Sequence, residues 1–206
     1  MKNIRKAYVD IGSGQIHYLH SKGQGIPLLL FHRTPASSVI YKRMMKRMVG
    51  SRPIYALDTP GFGESFNPEG MPDIKDYRDW FCEAIDNLGI SSFHVYGHHT
   101  GTHIATEIAV HWKNRVTSLM LNGVAYLSEK ARLEFGKKIL PASRPDEEGK
   151  YLMETWNIIK SLFPSFDRDL VHLEFIGALR AVDGRDQAFR AIWEQEFTKV
   201  LGQVEC

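Results

Sequence analysis

The chain has 206 residues, a formal net charge of +2, 43% hydrophobic and 24% charged residues, long enough to bury a sizeable core in one domain, or one domain with an insertion. This balance argues against disorder and against a face basic enough to capture nucleic acid, and no apolar run nears the roughly 20 residues that cross a bilayer. Cys82 and Cys206 stand in no metal or redox spacing, and Met1 to Lys6 is basic with no apolar segment behind it, so a cytoplasmic setting without a membrane partner is expected.

Ala7–Asp10 and Gln15–Leu19 read as a hairpin across Gly12-Ser13-Gly14. Pro27–Phe31 is continuously apolar, as a strand covered on both faces is. His32-Arg33-Thr34-Pro35-Ala36-Ser37-Ser38 follows as a loop. A helix is then expected from Val39 to Val49, with Ile40, Met44 and Met48 inward and its basic residues on a solvated face. Pro53–Leu57 is the next strand, ending in Asp58-Thr59-Pro60-Gly61-Phe62-Gly63-Glu64-Ser65. That loop lacks the third glycine of a dinucleotide fingerprint and does not open the first strand–helix unit, so no nucleotide cofactor is expected. Asp73 to Leu88 carries a helical apolar stripe closed by Gly89, with Cys82 as a small filler beside it.

Phe93 to His98 is β-prone, and from Ile104 to Trp112 the apolar period is helical. Between them lies Gly97-His98-His99-Thr100-Gly101, a strand turning into a helix with glycines where side chains would collide. That spacing is the nucleophile elbow, G-x-Nu-x-G, with His99 at its apex. Val116–Leu121 is another buried-type strand. The order of elements predicts a mostly parallel α/β sheet with an opening hairpin and helices on both faces. Beyond Asn122 no strand recurs. Lys130–Ile139, Tyr151–Phe163, Leu170–Ala181 and Gln187–Phe197 read as helices, with Leu152, Trp156, Ile159 and Phe163 on one face of the second. An all-helical segment after a sheet strand is expected to cap the C-terminal edge of the sheet, over His99. The expected division is a core at 1–123 and a cap at 124–206.

Three coupled motifs, His32-Arg33-Thr34-Pro35, Asp58 to Ser65 and Gly97 to Gly101, resemble those of the α/β-hydrolase superfamily in its cap-bearing branch, such as haloalkane dehalogenases, epoxide hydrolases, prolyl iminopeptidases and small esterases. The resemblance implies an α/β-hydrolase-like fold and hydrolysis of an ester or related bond in a small, largely apolar substrate; the ligand spacing and the glycine pattern, for their part, point to no metal or other cofactor. It places the amides of Arg33 and Thr100 in an oxyanion hole, for which any residue but proline retains the N–H. Where relatives carry Ser, Asp or Cys this chain carries His99, and Arg33 replaces a glycine. The resemblance also implies a seventh and an eighth strand, with a catalytic acid and a histidine after them; Val200 to Cys206 reads as the approach to the seventh, cut short. A sixth-strand edge left open in this way would be covered by a second copy or another chain.

His99 admits two readings: a nucleophile or base near neutral pH, or the mark of an inactive relative that binds without hydrolysing. Asp58 either orients His99 or His98 or, as the resemblance implies, holds its own loop. His32, Thr34, His98 and Trp156 are the expected pocket residues. His94, His98, His99 and His103 cluster in sequence, but the strand-to-helix break scatters their directions and no H-E-x-x-H accompanies them, so metal is not expected.

Overall fold

The computed structural model describes residues 4–138, 141–163 and 165–206. Its strands are β1 (Arg5–Ile11), β2 (Gly14–Ser21), β3 (Leu28–Phe31), β4 (Ile54–Leu57), β5 (Phe93–His98) and β6 (Val116–Asn122). They form one six-stranded sheet in the order β1-β2-β4-β3-β5-β6. The β1–β2 hairpin and the β2–β4 pair are antiparallel, while β4, β3, β5 and β6 run parallel. Three helices interleave with the strands: α1 (Lys42–Met48), α2 (Ile74–Asn87) and α3 (Thr100–His111).

Side chains alternate across a strand, and β3 shows what this does. Leu28 and Leu30 join Tyr41 and Met45 on the α1 face, while Leu29 and Phe31 join Tyr77, Phe81, Ile104 and Ile108 on the face covered by α2 and α3. All four β3 residues are buried, which is why this strand is apolar without alternation. The helix expected from Val39 begins as a 3-10 turn at Ser38–Tyr41. Its fully buried anchor is Met45, with Ile40, Met44 and Met48 only partly covered. Burial of Cys82 pushes its thiol up to about 12, in keeping with a filler.

β3 lies between β4 and β5. The chain leaving β3 goes to the α1 face and the chain leaving β5 goes to the α3 face. This makes the C-terminal ends of β3 and β5 the switch point of the sheet, where α/β sheets open a crevice. At one margin of the sheet β6 pairs, among the described residues, with β5 alone, and Met120 is 46% exposed there.

The segment after β6 is helical: α4 (Glu129–Gly136), α5 (Lys150–Ser161), α6 (Arg168–Arg180), α7 (Val182–Glu194) and α8 (Phe197–Leu201). Ile139, the expected end of the first of these, lies outside the described residues. Leu152, expected on the inward face of α5, is 37% exposed, while Ile159 is buried beside Val171 and Ala178 of α6. Val200 and Leu201 end a helix, and residues 202–206 form no strand. None of the described helices is long and apolar enough to cross a membrane.

The loop after β4 grips this cap. Phe62 is fully buried against Ala181 and Ala188, and Gln187 Nε2 donates to the carbonyls of Pro68 (3.0 Å) and Gly70 (2.8 Å). Gly184, in the first turn of α7, approaches Gly61 so closely that an added Cβ would stand 2.2 Å from the Gly61 carbonyl oxygen. Helix propensity alone makes Gly184→Ala stabilising by about 1 kcal/mol. The collision makes it destabilising, by about 1–2 kcal/mol. Urea unfolding of the variant decides: a raised midpoint would mean that cap and core are not in register at this contact.

Candidate active site

The elbow is built by backbone proximity. A Cβ on Gly97 would lie 2.4 Å from the Gly101 carbonyl oxygen, and one on Gly101 would lie 2.2 Å from that of Phe31 in β3. Only residues without a Cβ allow β5 to turn so sharply into α3. The turn holds His99 at φ 47°, ψ −113°, and among the described residues it alone has positive φ without being glycine. Such a conformation costs about 1–3 kcal/mol and persists where its surroundings over-determine it. Here the His99 N–H donates to the Asn122 carbonyl of β6 (2.9 Å). The His99 carbonyl accepts from the Thr102 amide (2.8 Å) and hydroxyl (2.6 Å).

His99 opens into a cavity of about 610 Å³ between the core and the cap, within the size range of small-molecule sites. Its polar floor comes from the core: Arg33, Thr34, His98, His99, Thr100 and His103. Its apolar walls come from the cap: Ile158 and Ile159 of α5 with Leu162 just past its end, and Phe189, Ile192 and Trp193 of α7. The imidazole of His99 lies over Gly123, where an added Cβ would stand 2.9 Å from Nε2. The His98 ring is 5.1 Å from that of His99, tilted.

These histidines are neutral at pH 7. Burial, together with the charges of His99, Arg33 and His32, brings His98 down to about 4. Burial and Arg33 lower His99 as well. A neutral imidazole keeps a lone pair that can accept a hydrogen bond or a proton. Among the described residues its ring nitrogens have no hydrogen-bond partner.

The Thr34 N–H donates to Thr100 Oγ1 (3.3 Å), tying the β3 loop to the start of α3. Neither the Arg33 nor the Thr100 amide has an acceptor among the described residues. The Arg33 side chain crosses to the cap, where its guanidinium meets the buried Glu174 of α6 at 2.8 Å and lies 5.7 Å from the Phe163 ring centre. Burial raises the pKa of Glu174 and Arg33 opposes that rise.

Three of the expected site residues stand elsewhere. Asp58 does not touch His99 or His98. Its carboxylate accepts from His17 Nδ1 (2.7 Å) and from the amides of Ser38 (2.6 Å) and Glu64 (3.0 Å), all holding its own loop. His32 is 1% exposed and does not line the cavity. Its Nε2 accepts from the Thr59 amide (2.9 Å), which leaves the Nδ1 proton for the Arg33 carbonyl (3.0 Å). Trp156 packs inside the cap against Phe175 and Phe166 rather than facing the cavity.

Other residues emerge only from the fold. His103 donates from Nδ1 to Gln195 Oε1 (2.5 Å), and Gln195 Nε2 donates to Glu107 (2.6 Å). This chain fixes the tautomer of His103, and burial takes its pKa down to about 4. Arg185 lines the cavity, and Glu174 stands behind it, paired with Arg33. Each left a trace in the sequence, as a charge on an apolar stripe: Glu174 between Val171 and Ala178, and Arg185 before Phe189 and Ile192. Among the described residues no group of three or more His, Cys, Asp or Glu side chains is gathered as a metal ion needs.

A family model described as alpha/beta hydrolase fold matches residues 26–163. Among curated proteins, 1-acylglycerol-3-phosphate O-acyltransferase ABHD5 of Sus scrofa is 28% identical over 125 residues, which is 57% of this chain and 36% of that protein. Haloalkane dehalogenase 2 of Mycobacterium tuberculosis is 30% identical over 115 residues, 55% of this chain and 40% of that protein. These matches therefore span about two fifths of the length of either relative. Among solved structures, E-2-(acetamidomethylene)succinate hydrolase superposes with a TM-score of 0.78 at 20% identity, over 98% of this chain and 78% of that one.

Proposed function

Because the chain belongs to the alpha/beta hydrolase fold family, we propose that its cavity is the substrate site of a hydrolase-like enzyme for a small, largely apolar molecule with an ester or related bond. The strained, exposed His99 at the elbow is the observation that carries this reading. Its neutral imidazole either attacks the acyl carbon, forming a C–N bond as the alkoxide leaves, or takes a proton from the attacking water. The amides of Arg33 and Thr100 receive the developing oxyanion, and the apolar walls from α5 and α7 hold the substrate body.

One observation favours a second reading, a cavity that binds without turnover: the His99 ring has no hydrogen-bond partner among the described residues to fix its tautomer. In a nucleophile–base pair the orienting group matters because the wrong tautomer presents N–H where a lone pair is needed. A panel of short-chain aryl esters separates the two readings. Turnover that falls at least a hundredfold in His99→Ala supports the enzyme, and an acyl mass adduct on His99 marks it as nucleophile rather than base. Equal rates in the two proteins, or saturable binding without turnover, would remove His99 from the chemistry.

A further inference from the structure

The titratable groups lining the cavity are all basic: Arg33, His98, His99, His103 and Arg185, with no aspartate or glutamate among the described lining residues. The three histidines are uncharged at neutral pH, so the two arginines carry the field of the cavity. They differ in what they already hold. Arg33 is matched by Glu174 at 2.8 Å, an acid with 1% side-chain exposure. Among the described residues Arg185 has no such partner at hydrogen-bond distance. Its nearest carboxylate oxygen belongs to Asp186, at 3.7 Å, beyond hydrogen-bond distance. That same oxygen already accepts from the Ala142 amide (2.9 Å), and the second oxygen of Asp186 lies 3.6 Å from Arg144.

The Arg185 side chain is nevertheless only 17% exposed. Its guanidinium lies 5.3 Å from the ring centre of Phe189, one helical turn on. Among the described residues it donates no hydrogen bond, although a guanidinium offers five N–H groups in a fixed planar fork. Burial lowers its pKa, with Asp186 opposing only in part. A desolvated cation without an acceptor is costly unless something supplies one.

We propose that Arg185 is an anion-binding residue, and that the cavity takes a molecule with an apolar body and one carboxylate, the carboxylate seated on the Arg185 fork. The planar fork matches a carboxylate in bidentate fashion. The apolar body lies against Ile159, Leu162, Ile192 and Trp193. This assignment rests on the cavity being the substrate site and narrows the substrate class; Arg185 recognises and positions, and takes no part in bond cleavage.

Octanoate and octanamide test it, because they share a body and differ at the head. Calorimetry with the 206-residue chain at pH 7.5 should give octanoate an affinity at least tenfold above that of octanamide. Arg185→Gln should remove that preference. Arg185→Lys, which keeps the charge and loses the fork, should retain part of it, and added salt should weaken octanoate more than octanamide. Equal affinities in the parent, a preference that survives Arg185→Gln, or no octanoate binding by a chain folded by circular dichroism would each overturn the assignment. A preference that disappears in Arg33→Gln but persists in Arg185→Gln would overturn it too, by moving the anion to Arg33. Since the readout is binding, failed ester turnover with an intact octanoate preference would sink the hydrolytic reading and leave this one standing.

Discussion

Gly101→Ala should destabilise the chain by about 3 kcal/mol, at the upper end of what overpacking costs, although alanine is the better helix former. Two effects oppose each other at this position in α3. Propensity favours alanine over glycine by about 1 kcal/mol. Against it, the new Cβ would stand 2.2 Å from the carbonyl oxygen of Phe31, 2.6 Å from its carbonyl carbon and 3.0 Å from the His32 oxygen. All three are backbone atoms at the end of β3, which is paired on both sides by β4 and β5. No rotamer change relieves such a contact, so α3 must lift off the sheet or β3 must bend. Either movement takes His99 out of the crevice, and ligand binding falls along with stability. Gly12→Ala is the control, since a Cβ there meets nothing nearer than 3.7 Å; that variant should stay within about 0.5 kcal/mol of the parent. Urea unfolding of both, compared with the parent, gives the answer. A Gly101→Ala chain as stable as the parent would mean that strand and helix do not meet as tightly as these distances say.

The elbow was legible in the sequence because everything that makes it lies within five consecutive residues, Gly97 to Gly101. The same holds for the buried strands, whose runs of apolar residues report two covered faces locally. Legibility failed where partners are far apart along the chain. Asp58 could be weighed as a loop anchor or as a partner of His99, but the acceptance from His17, 41 residues away, is fixed only when β2 pairs with β4. Trp156 was an expected wall of the pocket because it is large and apolar. It instead fills the space between α5 and α6, which sequence spacing does not distinguish from a cavity wall. The expected helices over Leu170–Ala181 and Gln187–Phe197 leave residues 182–186, Gly184 among them, outside either, yet α7 begins at Val182. That glycine answers a tertiary need, the close approach of Gly61, and not a turn. The tail misled in a similar way. Val200, Leu201 and Val204 are as β-prone as they are apolar, but Phe197 is buried against His103 of α3 and the residues after it coil as α8.

Asp58→Asn should cost about 3–5 kcal/mol at neutral pH, the range found when one partner is removed from a buried charged network. The side chain is about 2% exposed and accepts from His17 Nδ1 and from the amides of Ser38 and Glu64. An asparagine keeps the volume but turns an NH2 group toward at least one of these donors, leaving a buried N–H without an acceptor. Because Ser38 opens the turn before α1 and Glu64 belongs to the loop that grips the cap, the damage should reach both the α1 face and the cap contact at Phe62. The pH dependence separates charge from shape. Burial by itself would raise the pKa of Asp58. The hydrogen bond from His17 and those from the Ser38 and Glu64 amides work against burial, and the folded-state value lies below the ordinary 3.8. For a carboxylate depressed in the folded state, the stabilisation is fully present above the unfolded pKa, about 3.9, and is lost as pH falls through the folded value. The gap in unfolding free energy between parent and Asp58→Asn should therefore be flat from pH 7 to about 5 and shrink only below about 4. A gap that stays constant down to pH 3 would show that the asparagine harms by shape alone. One that closes already between pH 7 and 5 would overturn the reading of Asp58 as a carboxylate held below its ordinary range in the folded state.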